Sequence, residues 1–262
     1  MAQKIYQVDA FTDQVFKGNP AAVCPLEDWF PDDVMQNIAM ENNLAETAFF
    51  VKKADLYELR WFTPEVEVDL CGHATLAAAF VLFNHENHGS DIIIFHSPRS
   101  GTLKVSKKGE LLSMNFPSDT IQEAAISSEI LDSFNEQPLA AFEGKTDLML
   151  VYENENQIAS LSPDFNELSK LNYRGVICTA PGAGCDFVSR FFAPQVGVNE
   201  DPVTGSAHTT LVPYWSAKYG KIELSAKQLS KRTGILTCKF LGERTEICGT
   251  AKLYLQGEIF VG

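Results

Sequence analysis

The run Gly72-His73-Ala74-Thr75-Leu76-Ala77-Ala78-Ala79-Phe80-Val81-Leu82-Phe83 constrains the fold more than any other part of the chain. Read at helical spacing it is apolar almost all the way round, and a helix without a polar face must be surrounded by protein. Strand-like alternation lies on both sides of it. Tyr6, Val8 and Ala10 would share one strand face, Tyr57, Leu59 and Trp61 a second, and Leu112, Met114 and Phe116 a third. The economical arrangement is a sheet curled around a central helix.

The second half repeats the recipe. Strand-like Phe187 to Phe192 precedes another Gly-led run, Gly205-Ser206-Ala207-His208-Thr209-Thr210-Leu211-Val212-Pro213-Tyr214-Trp215, and Gly234 to Phe240 follows it. Gly-His-Ala-Thr-Leu aligns with Gly-Ser-Ala-His-Thr-Thr-Leu, a weak match supported by the shared order of strands and helix. The expected class is α+β, with two pseudo-symmetric lobes, each a mostly antiparallel curled sheet around one buried helix. Pro117-Ser118-Asp119 breaks the pattern and divides the chain into lobes 1–117 and 118–262, with the last strand available to pack back on the first lobe. Local signals add a helix from Pro31 to Met40, with Pro at its start and acids in its first turn. Lys107-Lys108-Gly109-Glu110 reads as a hairpin turn, Thr120 to Phe134 as helical, and Thr250 to Val261 as a hairpin turning at Gln256-Gly257.

Composition removes several functional classes. With 21 Lys+Arg against 34 Asp+Glu, the formal net charge is −13, which disfavours nucleic acid and anionic membranes as partners. No segment is long and apolar enough to span a bilayer, and the first residues lack the pattern of a signal peptide, so a cytoplasmic protein is expected. The six cysteines are scattered and read as reduced thiols.

Both Gly-led helix starts are candidate anion cradles. The first N–H groups of a helix lack internal partners, the helix dipole adds positive potential, and Gly admits a ligand close to the backbone. The plainer reading of each Gly is a tight strand-to-helix turn. Polar density favours the functional one: Asp69, Cys71 and His73 surround Gly72, and Glu200, Asp201, Thr204, Ser206 and His208 surround Gly205. Glu46 sits where a helix hands over to the apolar strand Thr47-Ala48-Phe49-Phe50-Val51. A carboxylate among apolar neighbours has reason for a raised pKa and suits a general acid/base; the alternative is a strand-edge carboxylate facing solvent. His85-Glu86-Asn87-His88 has the wrong spacing for a zinc helix. Cys71-Gly72-His73 lacks a second ligand pair, so no metal is expected. Phosphate-loop, dinucleotide and Gly-x-Ser-x-Gly patterns are absent.

Five blocks occur in order: Gly18-Asn19-Pro20-Ala21-Ala22-Val23, Leu44-Ala45-Glu46-Thr47-Ala48-Phe49, Asp69-Leu70-Cys71-Gly72-His73-Ala74-Thr75-Leu76, Phe192-Ala193-Pro194, and Glu200-Asp201-Pro202-Val203-Thr204-Gly205-Ser206-Ala207-His208. Together they resemble the phenazine-biosynthesis PhzF-like family. The resemblance implies a diaminopimelate-epimerase-like fold, a homodimer, a cleft between lobes, and isomerase chemistry on a small acidic metabolite without metal or organic cofactor. It places Glu46 on the proton-shuttling position and His73, Asp201 and Ser206 on the other catalytic positions. Asn19, Cys71, Gly72, Thr204 and Gly205 fall where substrate is held. The related epimerases carry a cysteine before the Gly at both helix starts; here Thr204 replaces the second. A threonine hydroxyl cannot substitute for a thiol base, so the expectation is proton movement by one carboxylate. A cofactor-free racemase or epimerase and a non-catalytic ligand-binding protein are the alternatives.

Overall fold

The computed structural model describes residues 2–261. In chain order the elements are β1 (Ala2–Ala10), β2 (Asn19–Leu26), α1 (Asp32–Asn42), β3 (Glu46–Lys53), β4 (Leu56–Phe62), β5 (Glu67–Val68), α2 (Gly72–Asn84), β6 (Ile92–Ser97), β7 (Gly101–Lys108) and β8 (Leu111–Pro117). They continue with β9 (Gln122–Ala124), α3 (Ser128–Asp132), β10 (Ala140–Glu143), β11 (Asp147–Val151), α4 (Glu155–Ser160), α5 (Phe165–Leu168), β12 (Gly175–Pro181) and β13 (Phe187–Ala193). The chain closes with β14 (Val198–Asp201), α6 (Gly205–Tyr219), β15 (Glu223–Gln228), β16 (Gly234–Phe240), β17 (Arg244–Gly249) and β18 (Ala251–Phe260). Two units result: residues 1–115 with 248–262, and residues 116–247.

In the first unit β1 pairs antiparallel with both β2 and β18, while β2–β3 and β4–β6 are parallel in an otherwise antiparallel arrangement. Helix α2 packs on β1, β2, β3 and β18. Residues His73 through Ala79, with Val81 and Leu82, are buried, which is why the sequence has no polar stripe there. Helix α1 differs: Met35, Ile38 and Ala39 are buried, and Asp32 and Asp33 occupy the first turn. A second cluster of apolar side chains, including Phe49 and Phe62 in edge-to-face contact at 5.5 Å, lies beneath it.

The second unit mixes antiparallel pairs with the parallel pairs β11–β12 and β13–β15. Helix α6 packs on β15 and β16. Trp215 stacks on Phe187 with ring centroids 5.8 Å apart and donates from Nε1 to Thr179 Oγ1 at 3.0 Å. Pro213 lies inside α6 and cannot donate to the carbonyl four residues back; that carbonyl, on Thr209, accepts instead from the Asp119 amide at 3.0 Å.

Two local expectations are corrected. Thr120 to Phe134 is not one helix. Gln122–Ala124 forms β9 against β10, and only the short α3 follows, capped by Ser127 Oγ accepting from the Ile130 amide at 3.4 Å. Gln256-Gly257 is not a turn either. β18 runs straight through it, with Gln256 opposite Tyr6 and Gly257 opposite Ile5 on β1. The long partner strand keeps the ladder in register there, so Gly257 is simply a strand residue. Among the described residues no helix is long and apolar enough to cross a membrane.

Candidate active site

In the first unit, three stretches distant in sequence bring their side chains together. Glu46 is the first residue of β3, and Asn19 is the first of β2; the two strands run parallel, with Ala21 opposite Glu46. Cys71 and His73 flank the start of α2. His73 Nε2 lies 3.0 Å from Glu46 Oε2. On the other side of the ring, Nδ1 lies 3.1 Å from Asn19 Nδ2 and 3.5 Å from Cys71 Sγ. Cys71 and His73 are buried, Asn19 is fully so, and the Glu46 side chain keeps 18% exposure.

Asn19 depends on its neighbour. Gly18 has φ +63°, and a Cβ there would stand 2.1 Å from the Ala10 carbonyl oxygen. The loop before it is strained as well, with Phe11 at φ 62° and Phe16 at φ 71°. Asp9 Oδ2 accepts from the Phe16 amide at 2.8 Å, and the buried Phe11 ring fills the space where a Cβ on Gly249 would fall, 2.4 Å from its Cδ1. Strain held in this way clusters at functional sites.

The electrostatics correct one expectation. Burial alone would raise the Glu46 pKa, but the adjacent His73 charge, with the Cys71 thiol, brings it below the ordinary carboxylate value. Burial opposes a charged His73, yet the Cys71 sulfur and the Glu46 carboxylate outweigh it and hold its pKa well above the ordinary value. Both shifts favour carboxylate and imidazolium together; where Cys71 is a thiol, the charge that favours the imidazolium is the Glu46 carboxylate. Burial pushes the Cys71 thiol up to about 11, with Glu46 adding to the rise while His73 and the Ala74 amide oppose it. At neutral pH Cys71 is a thiol and not a ready base. Although close to His73, Glu46 Oε2 receives no in-line hydrogen bond.

In the second unit the α6 start is built by a buried glutamine that sequence reasoning missed. Gln228 on β15 accepts from the Thr204 amide through Oε1 at 2.9 Å, and its Nε2 donates to the Asp201 carbonyl at 2.8 Å and to Thr204 Oγ1 at 3.2 Å. Thr204 Oγ1 in turn donates to Asp201 Oδ2 at 2.6 Å. Asp201, Thr204 and Gly205 thus form one locked corner. Ser206 Oγ accepts from Arg174 Nη2 at 3.1 Å, and Arg174 is held by the buried Asp147. His208 donates from Nδ1 to the Thr204 carbonyl at 2.9 Å; burial then lowers its pKa to about 4, so it is neutral. Glu200 is committed to Arg190 at 2.6 Å, and Asp69 pairs with Arg99 at 3.1 Å, so neither joins these groups. Nothing in the local sequence marks Gln228 or Arg174, because each reaches its partners from a distant strand or turn.

The sequence profile described as phenazine biosynthesis-like protein (PhzC-PhzF) matches residues 8–257. An uncharacterised isomerase of Pseudomonas aeruginosa is 49% identical over 259 residues, covering 99% of each chain. A human phenazine biosynthesis-like domain-containing protein is 34% identical, again over 99% of each. The crystal structure of an Enterococcus faecalis phenazine biosynthesis protein of the PhzF family superposes with a TM-score of 0.97 at 49% identity, covering 100% of both chains. A hydroxyproline epimerase from Agrobacterium vitis, 8% identical with a TM-score of 0.61, shares the fold over 98% of this chain and 92% of its own. Over almost its whole length, the chain belongs to the phenazine biosynthesis-like (PhzF) family of isomerases.

Proposed function

We propose that this isomerase moves a proton on a small carboxylate-bearing substrate by general acid/base catalysis, with Glu46 as the base and no organic cofactor. The observation that carries the reading is Glu46 Oε2: an ionised, mostly buried carboxylate oxygen that no donor addresses in line, beside a cationic imidazole. A carboxylate so placed accepts a proton from carbon and returns it to another position of the same conjugated system. His73, charged and 3.0 Å away, stabilises negative charge as it develops on the substrate. The Gly72 and His73 amides, at the start of α2, have no carbonyl of their own helix to bond and suit the substrate carboxylate. General acid/base transfer supplies about 10²–10⁴-fold, so charge stabilisation and positioning must supply the rest.

A single carboxylate serves for a shift on one face of a substrate. Inversion of a stereocentre needs a second group on the opposite face, and Cys71, held as a thiol, is poorly suited to that task. Asp201, Thr204, Gly205 and Ser206 enter the proposal through their match to family positions. Asp201→Asn and Ser206→Ala are expected to lose turnover while keeping the fold. The direct test is solvent-deuterium incorporation into small unsaturated acids, compared between the wild type and Glu46→Gln. A chiral assay separates double-bond movement from epimerisation, because inversion without movement of the double bond would replace this reading with the racemase one.

A further inference from the structure

Among the described residues, Glu46, Cys71 and His73 form the one cluster whose carboxylate oxygen, sulfur and ring nitrogen all lie within 4.8 Å of one another. The spacing can be compared with a tetrahedral zinc site. Bond lengths of about 2.3 Å to sulfur and about 2.0 Å to nitrogen or oxygen put nitrogen and oxygen about 3.3 Å apart, and sulfur and nitrogen about 3.6 Å apart. Here His73 Nε2 is 3.0 Å from Glu46 Oε2 and 3.9 Å from Cys71 Sγ. The carboxylate oxygen and the sulfur lie within 4.8 Å of each other, where a shared tetrahedral ion needs about 3.5 Å, so closing all three onto one ion takes side-chain movements of up to about an ångström.

The donors are also of the right kind. Thiolate, imidazole and carboxylate together suit a borderline-soft divalent cation and not magnesium or calcium, which take oxygen ligands. The outer partner is in place: Asn19 holds the opposite ring nitrogen, fixing the ring as metal-bound histidines are commonly fixed. Its amide can present either oxygen or nitrogen to that ring. Other acidic groups nearby are closed: Asp69 and Glu67 are engaged by Arg99, and Glu67 also by Arg60.

We infer that Glu46, Cys71 and His73 form a binding site for one zinc-like divalent cation, which occupies the proton-transfer groups and inhibits the enzyme. On binding, Cys71 releases its thiol proton and His73 its Nε2 proton to solvent, while Glu46 binds as the carboxylate it already is. Water or a small anion takes the fourth position. The ion then sits on the oxygen that would receive the substrate proton. Binding is independent of the isomerase reading; the inhibition rests on it.

Cobalt(II) is the probe, because a thiolate ligand to it gives a charge-transfer band. Titrated into the full-length protein under a non-thiol reductant, it should give a saturable band at one equivalent that zinc displaces. The band should be absent in Cys71→Ser, and cobalt affinity should fall about 100-fold in Glu46→Gln, with circular dichroism unchanged. A wild type without a saturable band, or a band that survives in Cys71→Ser, overturns the site. Should Cys71→Ser fail to fold, Glu46→Gln decides: undiminished affinity there also overturns it. In parallel, deuterium exchange by the wild type is followed with added zinc. Exchange that persists with the site saturated contradicts the inhibition, whereas a protein that binds cobalt and never exchanges deuterium contradicts the isomerase reading and leaves the metal site standing.

Discussion

His73 Nε2 stands 3.0 Å from Glu46 Oε2, although one residue lies in the first turn of a helix and the other opens a strand 27 positions earlier in the chain. The contact turns a carboxylate that burial would protonate into an ionised one. It also means that the base is ready before substrate arrives, and that its strength comes from placement more than from a high pKa.

The route by which Asn19 reaches His73 makes Gly18 sensitive. Gly18→Ala puts a Cβ 2.1 Å from a backbone oxygen at a positive φ of 63°, so the loop must move. A loss of roughly 2 kcal/mol or more in stability is expected from the denaturation midpoint. Turnover should fall further than stability explains, because Asn19 is displaced from the ring. A neutral Gly18→Ala would mean that the loop yields without cost.

Gln228 makes the opposite kind of claim, since nothing about it is strained. It is fully buried, and replacing it with Ala leaves the Thr204 amide without its acceptor. The expected loss is about 2 kcal/mol, measured by chemical denaturation. Gln228→Glu keeps the acceptor but removes the donor to the Asp201 carbonyl and adds a charge, so it should be no milder than Gln228→Ala. A variant as stable as the wild type would show that the corner at Asp201 and Thr204 holds itself.

His208 sets an acid limit on stability. Its folded pKa of about 4 lies below the ordinary 6.5, because burial disfavours the charged ring. The unfolded chain therefore binds the extra proton first. The contribution is fully present above pH 6.5, falls as the pH drops toward 4, and is exhausted below that. The difference is worth on the order of 3 kcal/mol. His208→Gln should flatten the stability profile over that window, and an unchanged slope would assign the acid sensitivity to other groups.

Much of this was legible in the sequence where one segment carried its own signal. The all-round apolar run at Gly72 could only be a buried helix, and it is one. Tyr57, Leu59 and Trp61 do share a buried face, and Lys107 to Glu110 does turn, with Gly109 at φ 61°. What failed were segments decided by distant partners. Gly257 looked like a turn until β1 was there to pair with it, and Thr120 to Phe134 looked helical until β10 supplied an edge for β9. The same holds for the site. Glu46 and His73 could be nominated from local context, but the sign of the Glu46 shift depends on a through-space neighbour. Gln228 and Arg174 act only by reaching across to other elements.

The central claim is that Glu46 carries the proton. The most direct measurement is solvent-deuterium incorporation into a small unsaturated acid that the wild type turns over in heavy water, repeated with Glu46→Gln of confirmed fold. The account predicts incorporation by the wild type and a loss of at least about 100-fold in the variant, since the amide keeps the shape and loses the base. Undiminished incorporation by Glu46→Gln would contradict it.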